Sequence, residues 1–126
     1  MEELLGRQPP HNAQAEQAII GSMLIDPRCI ADVMEKVTSG DFFITANRTI
    51  FETIFHMFSY SQTVDPITVL NEMKVRGLYR ENETERYLRE VMQATPTAAN
   101  VLEYCSIVRD KALLRSLGDV ASEVNS

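Results

Sequence analysis

Hydrophobic residues recur every three or four positions along most of the chain, a spacing typical of amphipathic helices. In the first such segment Ile19 and Met23 share a face with smaller residues, and Asn12 stands where a helix N-cap is expected. Asp-Pro occurs at 26–27 and again at 65–66. Each pair predicts an N-cap followed by proline at the first helical position. Every segment has this period, so the sequence predicts an all-α fold.

Further boundaries follow from capping residues and glycines. Thr45 and Thr97 are predicted to cap the third and last helices, and Asn82 to cap the helix before Tyr87. Gly77 is expected to end the helix that follows the second Asp-Pro pair. Gly21 weakens the first helix by about 1 kcal/mol relative to alanine, which a close approach of another element would explain.

The densest apolar stripe is expected to form the centre of the core. It consists of Ile50, Phe51, Ile54, Phe55 and Phe58. Each buried phenylalanine contributes about 1.5–3 kcal/mol. The other helices are predicted to add Ile30, Val33, Met34, Val37, Ile67, Leu70, Met73, Tyr87, Leu88, Val91 and Met92.

The last helix is predicted to be longer than the core it packs on. From 98 to 124 it would span about 40 Å, whereas a globule of about 100 residues has a radius of gyration near 13 Å. Its outer half carries Leu113, Leu117, Val120 and Val124, with spacings of 4, 3 and 4. These four residues lie on the sixth predicted helix, α6 (98–124), and form a ridge, named here the α6 ridge, that we expect the globule to leave uncovered.

Three regions are therefore expected. Residues 1–12 form a flexible N-terminal arm, 13–97 a compact helical head, and 98–126 a long C-terminal helix. The sequence ends in Glu-Val-Asn-Ser with neither glycine nor proline as a stop signal. We therefore expect a longer protein, in which following residues continue this helix or return along it.

Composition excludes several classes of function. The net charge of −6 disfavours duplex DNA binding, which generally needs a basic face. No apolar run is long enough to span a bilayer and no secretory signal begins the chain, so a cytosolic location is expected. The sequence also lacks the phosphate-binding pattern GxxxxGK[ST] and the nucleophile pattern GxSxG. No catalytic or cofactor site is therefore predicted.

The cysteines and histidines predict no metal site. Cys29 and Cys105 are interpreted as small buried apolar side chains, with no secretory context that would favour a disulfide. His11 and His56 lie far apart, without a spacing typical of zinc ligands. No metal ligands are assigned.

A cluster of basic residues leaves two interpretations open. It comprises Lys74, Arg76, Arg80, Arg86 and Arg89. Interleaved glutamates favour an ordinary solvated surface, and a docking face for an acidic partner is the second possibility. An alternative function is a small helical DNA-binding regulator. Its recognition helix, 46–60, would offer only Arg48 and His56 as cations, which is poor material for phosphate contacts.

Several motifs, in order, resemble the N-terminal domain of the bacterial replicative DNA helicase, the DnaB family. The stretches are "PPHNAQAEQAIIGSML", "DFFITANRTIFETI", "VDPITVLNEM" and "YLREVMQATPTAANVLEYCSIVRDKALLR". Residues that match the family pattern are Glu16, Gly21, Asp41, Phe42, Ile50, Phe51, Asp65, Tyr87, Pro96, Asn100 and Tyr104. The resemblance covers almost the whole chain.

The resemblance implies a function that the pattern alone does not. Family members form hexameric rings that unwind DNA at replication forks, using ATP and Mg in a separate RecA-like motor domain that this sequence lacks. Their N-terminal domains are helical heads followed by a helical hairpin. They build a collar by self-association and dock the C-terminal helicase-binding domain of primase, and a helicase loader engages the same protein. The last helix here would be the first arm of that hairpin.

The resemblance also suggests site residues. Self-association is expected through Leu113, Leu117, Val120 and Val124. Primase docking is expected at Tyr87 and Val124. Gly118 stands where relatives usually carry a larger apolar residue, and "RENETER" replaces a loop that commonly contains Gly-Gly. Both departures bear on the strength of primase contact.

Overall fold

The computed structural model describes residues 8–125, with side chains for residues 8–118. This part of the chain contains α-helices and short 3-10 helices and no strand, which confirms the all-α fold. The elements are α1 (Ala13–Ile25), a 3-10 helix (Pro27–Cys29), α2 (Ile30–Lys36), a 3-10 helix (Ser39–Asp41), α3 (Thr45–Ser59), α4 (Pro66–Val75), α5 (Thr84–Gln93) and α6 (Val101–Asn125).

The first helix, rather than α3, occupies the centre of the head. α1 packs against α3, α5 and α6, and all of its residues from 19 to 24 are buried. Small residues make this possible: a Cβ added at Gly21 would overlap Thr95 Oγ1 and lie 2.6 Å from Thr95 Cβ. The close approach expected at Gly21 is therefore confirmed, and the central position predicted for α3 is wrong.

The stripe on α3 is narrower than the sequence suggests. Phe55 and Phe58 are 51% and 40% exposed, and Ile67 on α4 is 80% exposed, so their predicted burial is wrong. The buried face of α3 includes Ile54 and Met57. Each phenylalanine follows one of these residues by one position, a rotation of about 100°, which turns it away from the core.

The caps that act within a few residues are confirmed. Asn12 Oδ1 accepts from the Ala15 N–H at 2.9 Å, and Asp65 Oδ1 accepts from the Thr68 N–H at 2.8 Å. Asp26 caps the first turn after it, although that turn is a 3-10 helix. Gly77 follows α4 with a φ of 72°, a conformation that glycine adopts without a steric penalty.

Three predicted helix starts are wrong. α3 is capped by Ile44 without a side-chain bond, and Thr45 is already helical. α5 follows Glu83, while Asn82 lies one residue earlier with a φ of 67°. α6 begins at Val101, and residues 98–100 form a bend and a turn between Thr97 and the helix.

α6 divides into two parts with different surroundings. Val101, Cys105 and Val108 are buried, and this inner part packs on α1 and α2. The helix contains 25 residues, about 37 Å at 1.5 Å per residue. The long last helix predicted from the sequence is therefore present, and its outer part carries the candidate site described next.

Candidate partner-binding surfaces

The outer part of α6 presents leucines to solvent. Leu113 and Leu117, the first two members of the α6 ridge, are 59% and 57% exposed, and the neighbouring Leu114 is also exposed. Val120 and Val124 belong to α6, but their side chains lie outside the described residues. Exposed leucines on consecutive turns form an apolar surface of the kind that packs against another helix.

Arg115 fixes the opposite face of α6 to the head. Its Nη1 donates to Pro10 O at 2.8 Å and its Nη2 to Asp41 O at 2.6 Å. The guanidinium also lies 5.6 Å from the centroid of the Phe43 ring, which stacks on His11 at 4.4 Å. Planar guanidinium groups suit this combination of forked hydrogen bonding and aromatic stacking.

A groove of about 670 Å³, named here the Tyr87 groove, opens where α3 and α5 meet the end of α4. Ile50, Met73 and Leu78 supply apolar walls, and Tyr87 lies on the α5 side. Arg80, Arg86, Glu83 and Glu90 also line the groove. An apolar centre that includes a tyrosine, with polar residues around it, is typical of a surface that accepts a protein partner.

Tyr87 is held inward by its hydroxyl group. The hydroxyl donates to Asn47 Oδ1 and accepts from Gln17 Nε2 at 3.5 Å. Burial raises the pKa of Tyr87 above its ordinary value, more than these hydrogen bonds lower it. Because the hydroxyl proton is already donated, a partner in the groove meets the aromatic ring rather than a free O–H donor.

Sequence reasoning missed the residue at the centre of this polar network. Glu16 is 1% exposed, and its carboxylate accepts from the Phe43 N–H at 2.9 Å, the Ile44 N–H at 3.1 Å and Asn47 Nδ2 at 3.0 Å. It thereby supplies the start of α3 with the acceptor that Thr45 was expected to provide. The available signal was a charged residue directly beside Ala15 on the apolar face of α1.

The basic cluster is mostly solvated. Arg80 lies 4.0 Å from Glu83 and Arg89 lies 3.4 Å from Glu85, and all four side chains are well exposed. Such pairs contribute little to stability. Arg48, a possible phosphate contact in the DNA-binding alternative, instead donates from Nη2 to Phe42 O at 2.9 Å.

Both thiols are free and weakly acidic. Cys105 is buried as expected, whereas Cys29 is only half-buried. Burial raises the pKa of Cys29 and of Cys105 to about 11. Among residues 8–118, no three histidine, cysteine, aspartate or glutamate side chains are grouped so that they could hold a metal ion.

No helix within residues 8–125 combines the length and the apolar character needed to cross a membrane.

Known proteins resemble this chain in sequence and in fold. The replicative DNA helicase DnaB of Mycobacterium leprae is 39% identical over 122 residues, and that of Leifsonia xyli is 36% identical over 118 residues. These matches include 97% and 94% of this chain but only 20% and 26% of the relatives. The chain therefore spans about a quarter or less of the length of these relatives.

Solved structures agree with the sequence matches. The N-terminal domain of DnaB helicase from Mycobacterium tuberculosis superposes with a TM-score of 0.88 at 38% identity, over 93% of this chain and 85% of that one. The same domain from Helicobacter pylori, described together with its interactions with primase, gives a TM-score of 0.76 at 17% identity, over 89% and 87% of the two chains. At that identity the second match shows the fold alone.

The family model of the DnaB-like helicase N-terminal domain matches residues 8–110, a range that contains α1 to α5, the Tyr87 groove and the inner part of α6. Together with the relatives above, this match shows that the chain belongs to the DnaB-like helicase N-terminal domain family.

Proposed function

We propose that this chain is the non-catalytic collar domain of a replicative DNA helicase, which assembles with copies of itself and docks primase. The family match supports the role in replication. The observation that carries the proposal is the exposure of Leu113 and Leu117 on the outer part of α6, whose inner part packs on the head.

In this function α6 is the pairing element. Its α6 ridge packs against a returning second helix and against the corresponding hairpin of a neighbouring subunit, which buries apolar surface that the head leaves in water. Six such domains form the collar. The cytoplasmic motor domain of the same polypeptide binds ATP and Mg and unwinds DNA, and a loader places the ring on its substrate.

The groove at Tyr87 is the proposed docking site for the C-terminal domain of primase. The half-buried ring offers an apolar anchor, and charged residues of both signs border it. Val124 at the outer end of α6 contributes a second contact. A partner that touches both places bridges the head and the pairing helix.

Calorimetry with the primase C-terminal domain of the same organism tests docking. Binding heat is expected with tens of micromolar protein, and Tyr87→Ala is expected to weaken binding at least tenfold. Tyr60→Ala is the matched control, because Tyr60 is exposed and does not line the groove. The absence of heat for the unaltered chain would exclude docking at this surface.

Light scattering tests self-association. Leu113→Asp combined with Leu117→Asp places charges on the α6 ridge and is expected to lower the oligomeric mass without lowering the melting temperature. The matched control is Phe55→Asp combined with Ile67→Asp, which alters exposed apolar residues on α3 and α4. An unchanged mass for the α6 variant would show that the pairing surface lies elsewhere.

A further inference from the structure

Residues 41–44, named here the connector, lead from the second 3-10 helix into α3 and are held mainly by side chains. The N–H groups of Phe43 and Ile44 donate to Glu16, as described above. The Phe42 carbonyl accepts from Arg48 at 2.9 Å. Side chains from α1 and α3 therefore fix the middle of the connector.

Arg115 joins the connector to α6. It donates to Asp41 O and lies over the Phe43 ring, while its second nitrogen holds Pro10 O. Two residues along a helix correspond to a rotation of about 200°. Arg115 therefore lies on the side of α6 opposite to Leu113 and Leu117, and it cannot touch a molecule that packs squarely on those leucines.

The other end of the connector leads to the groove. Glu16 accepts from Asn47 Nδ2 at 3.0 Å, and Asn47 Oδ1 accepts the hydroxyl proton of Tyr87. Asn47 is fully buried. A continuous set of contacts thus runs from Tyr87 through Asn47 and Glu16 to the connector, and from there through Arg115 to α6.

We propose that Arg115 is a positioning residue that couples the Tyr87 groove to the α6 ridge. The inference rests on the proposed function, since it concerns how docking and self-association affect each other. Arg115 sets the angle at which the outer part of α6 leaves the head, and occupancy of the groove biases that angle through Glu16 and the connector. By linkage, pairing of α6 and binding of primase then strengthen each other by the same factor.

Sedimentation of the chain with and without saturating primase C-terminal domain measures this factor. For the unaltered chain we expect the primase domain to tighten self-association about fivefold or more. In Arg115→Gln the factor is expected to fall below about twofold, with the melting temperature of the head retained. Comparing the factor of Arg115→Gln with that of the unaltered chain measures directly how much of the coupling passes through Arg115.

Arg109→Gln is the matched control. Arg109 lies on the same helix, carries the same charge and donates at 3.4 Å to Lys36 O, a carbonyl outside the connector. It is expected to keep the coupling factor of the unaltered chain. If Arg115→Gln does not fold, Phe43→Leu removes the ring beneath the guanidinium and is expected to reduce the factor in the same way.

The outcomes separate the inference from the proposed function. If the unaltered chain neither binds primase nor self-associates, the proposed function fails and the inference with it. If the unaltered chain is coupled and Arg115→Gln remains equally coupled, only the inference fails. If both arginine variants lose the factor equally, the effect is one of charge, and the positioning role of Arg115 is overturned.

Discussion

Replacing Glu16 by alanine tests whether a single buried carboxylate holds the start of α3. The substitution leaves three donors without their acceptor: the N–H groups of Phe43 and Ile44 and the side-chain amide of Asn47. Each buried donor left unpaired costs about 1–3 kcal/mol. Release of the desolvation cost of the carboxylate offsets part of this sum. We therefore expect Glu16→Ala to lower the free energy of unfolding by about 3–4 kcal/mol.

Urea denaturation followed by circular dichroism measures this loss. Domains of this size are stable by about 5–15 kcal/mol in total, so the shift in midpoint should be large. Glu16→Gln keeps the shape but turns an amide donor toward one of the N–H groups, and it should lose about 2 kcal/mol. The control is Glu35→Gln on the exposed surface of α2, expected within about 0.5 kcal/mol of the unaltered chain. A loss below about 1 kcal/mol for Glu16→Ala would refute the reasoning.

Three further outcomes follow from the described contacts. Gly21→Ala should destabilise the head by about 1–3 kcal/mol in thermal melts, because the new methyl group has no space. In the control Gly118→Ala the new methyl group meets no atom within 4 Å, so this variant should be neutral or slightly stabilising. The thiols of Cys29 and Cys105 have pKa values of about 11, so at pH 8 they should react with a disulfide reagent about 100-fold more slowly than a free thiol. Cys105 should be the slower because it is buried. Reaction rates equal to that of a free thiol would contradict this prediction. Burial raises the pKa of Tyr87 in the folded chain. The neutral hydroxyl therefore stabilises the folded state fully below about pH 10, and this contribution is lost as the pH rises through the folded pKa. Tyr87→Phe should reduce the loss of unfolding free energy at alkaline pH, and an unchanged loss would contradict the assignment.

Sequence pattern predicted the structure where the determining contact is local. Asn12 and Asp65 bind N–H groups three residues away, so the residue type and its position before a helical period are sufficient. Gly77 ends α4 for an equally local reason, its positive φ. The ordered short motifs also indicated the family correctly. Most of them correspond to caps, turns and core positions of the head.

Prediction failed where the determining partner is distant in the sequence. Thr45 has the right type for a cap, yet the acceptor at the start of α3 comes from Glu16, more than 25 residues earlier. Asn47 is buried for the same reason. Phe55 shows the converse error: its side chain favours burial, but the packing of α1 and α4 decides which face of α3 is covered. The spacing of apolar residues within one helix indicates neither which distant side chain caps the helix nor which of its faces another helix covers.

The distribution of apolar residues along α6 supports the proposed pairing more strongly than its length does. The face that packs on the head carries Val101, Cys105 and Val108, and at the next turns the same face carries Ala112 and Arg115. A helix meant to bury one continuous stripe on the head would place large apolar residues there. Within the described residues no large apolar side chain follows Val108 on that face, while Leu113, Leu114 and Leu117 are exposed elsewhere on the helix, as Leu102 and Ile107 are before them. Because Arg115 already binds the head on the inner face, packing against another helix would remove the outer leucines from water and so stabilise the pair, as the proposed collar function requires.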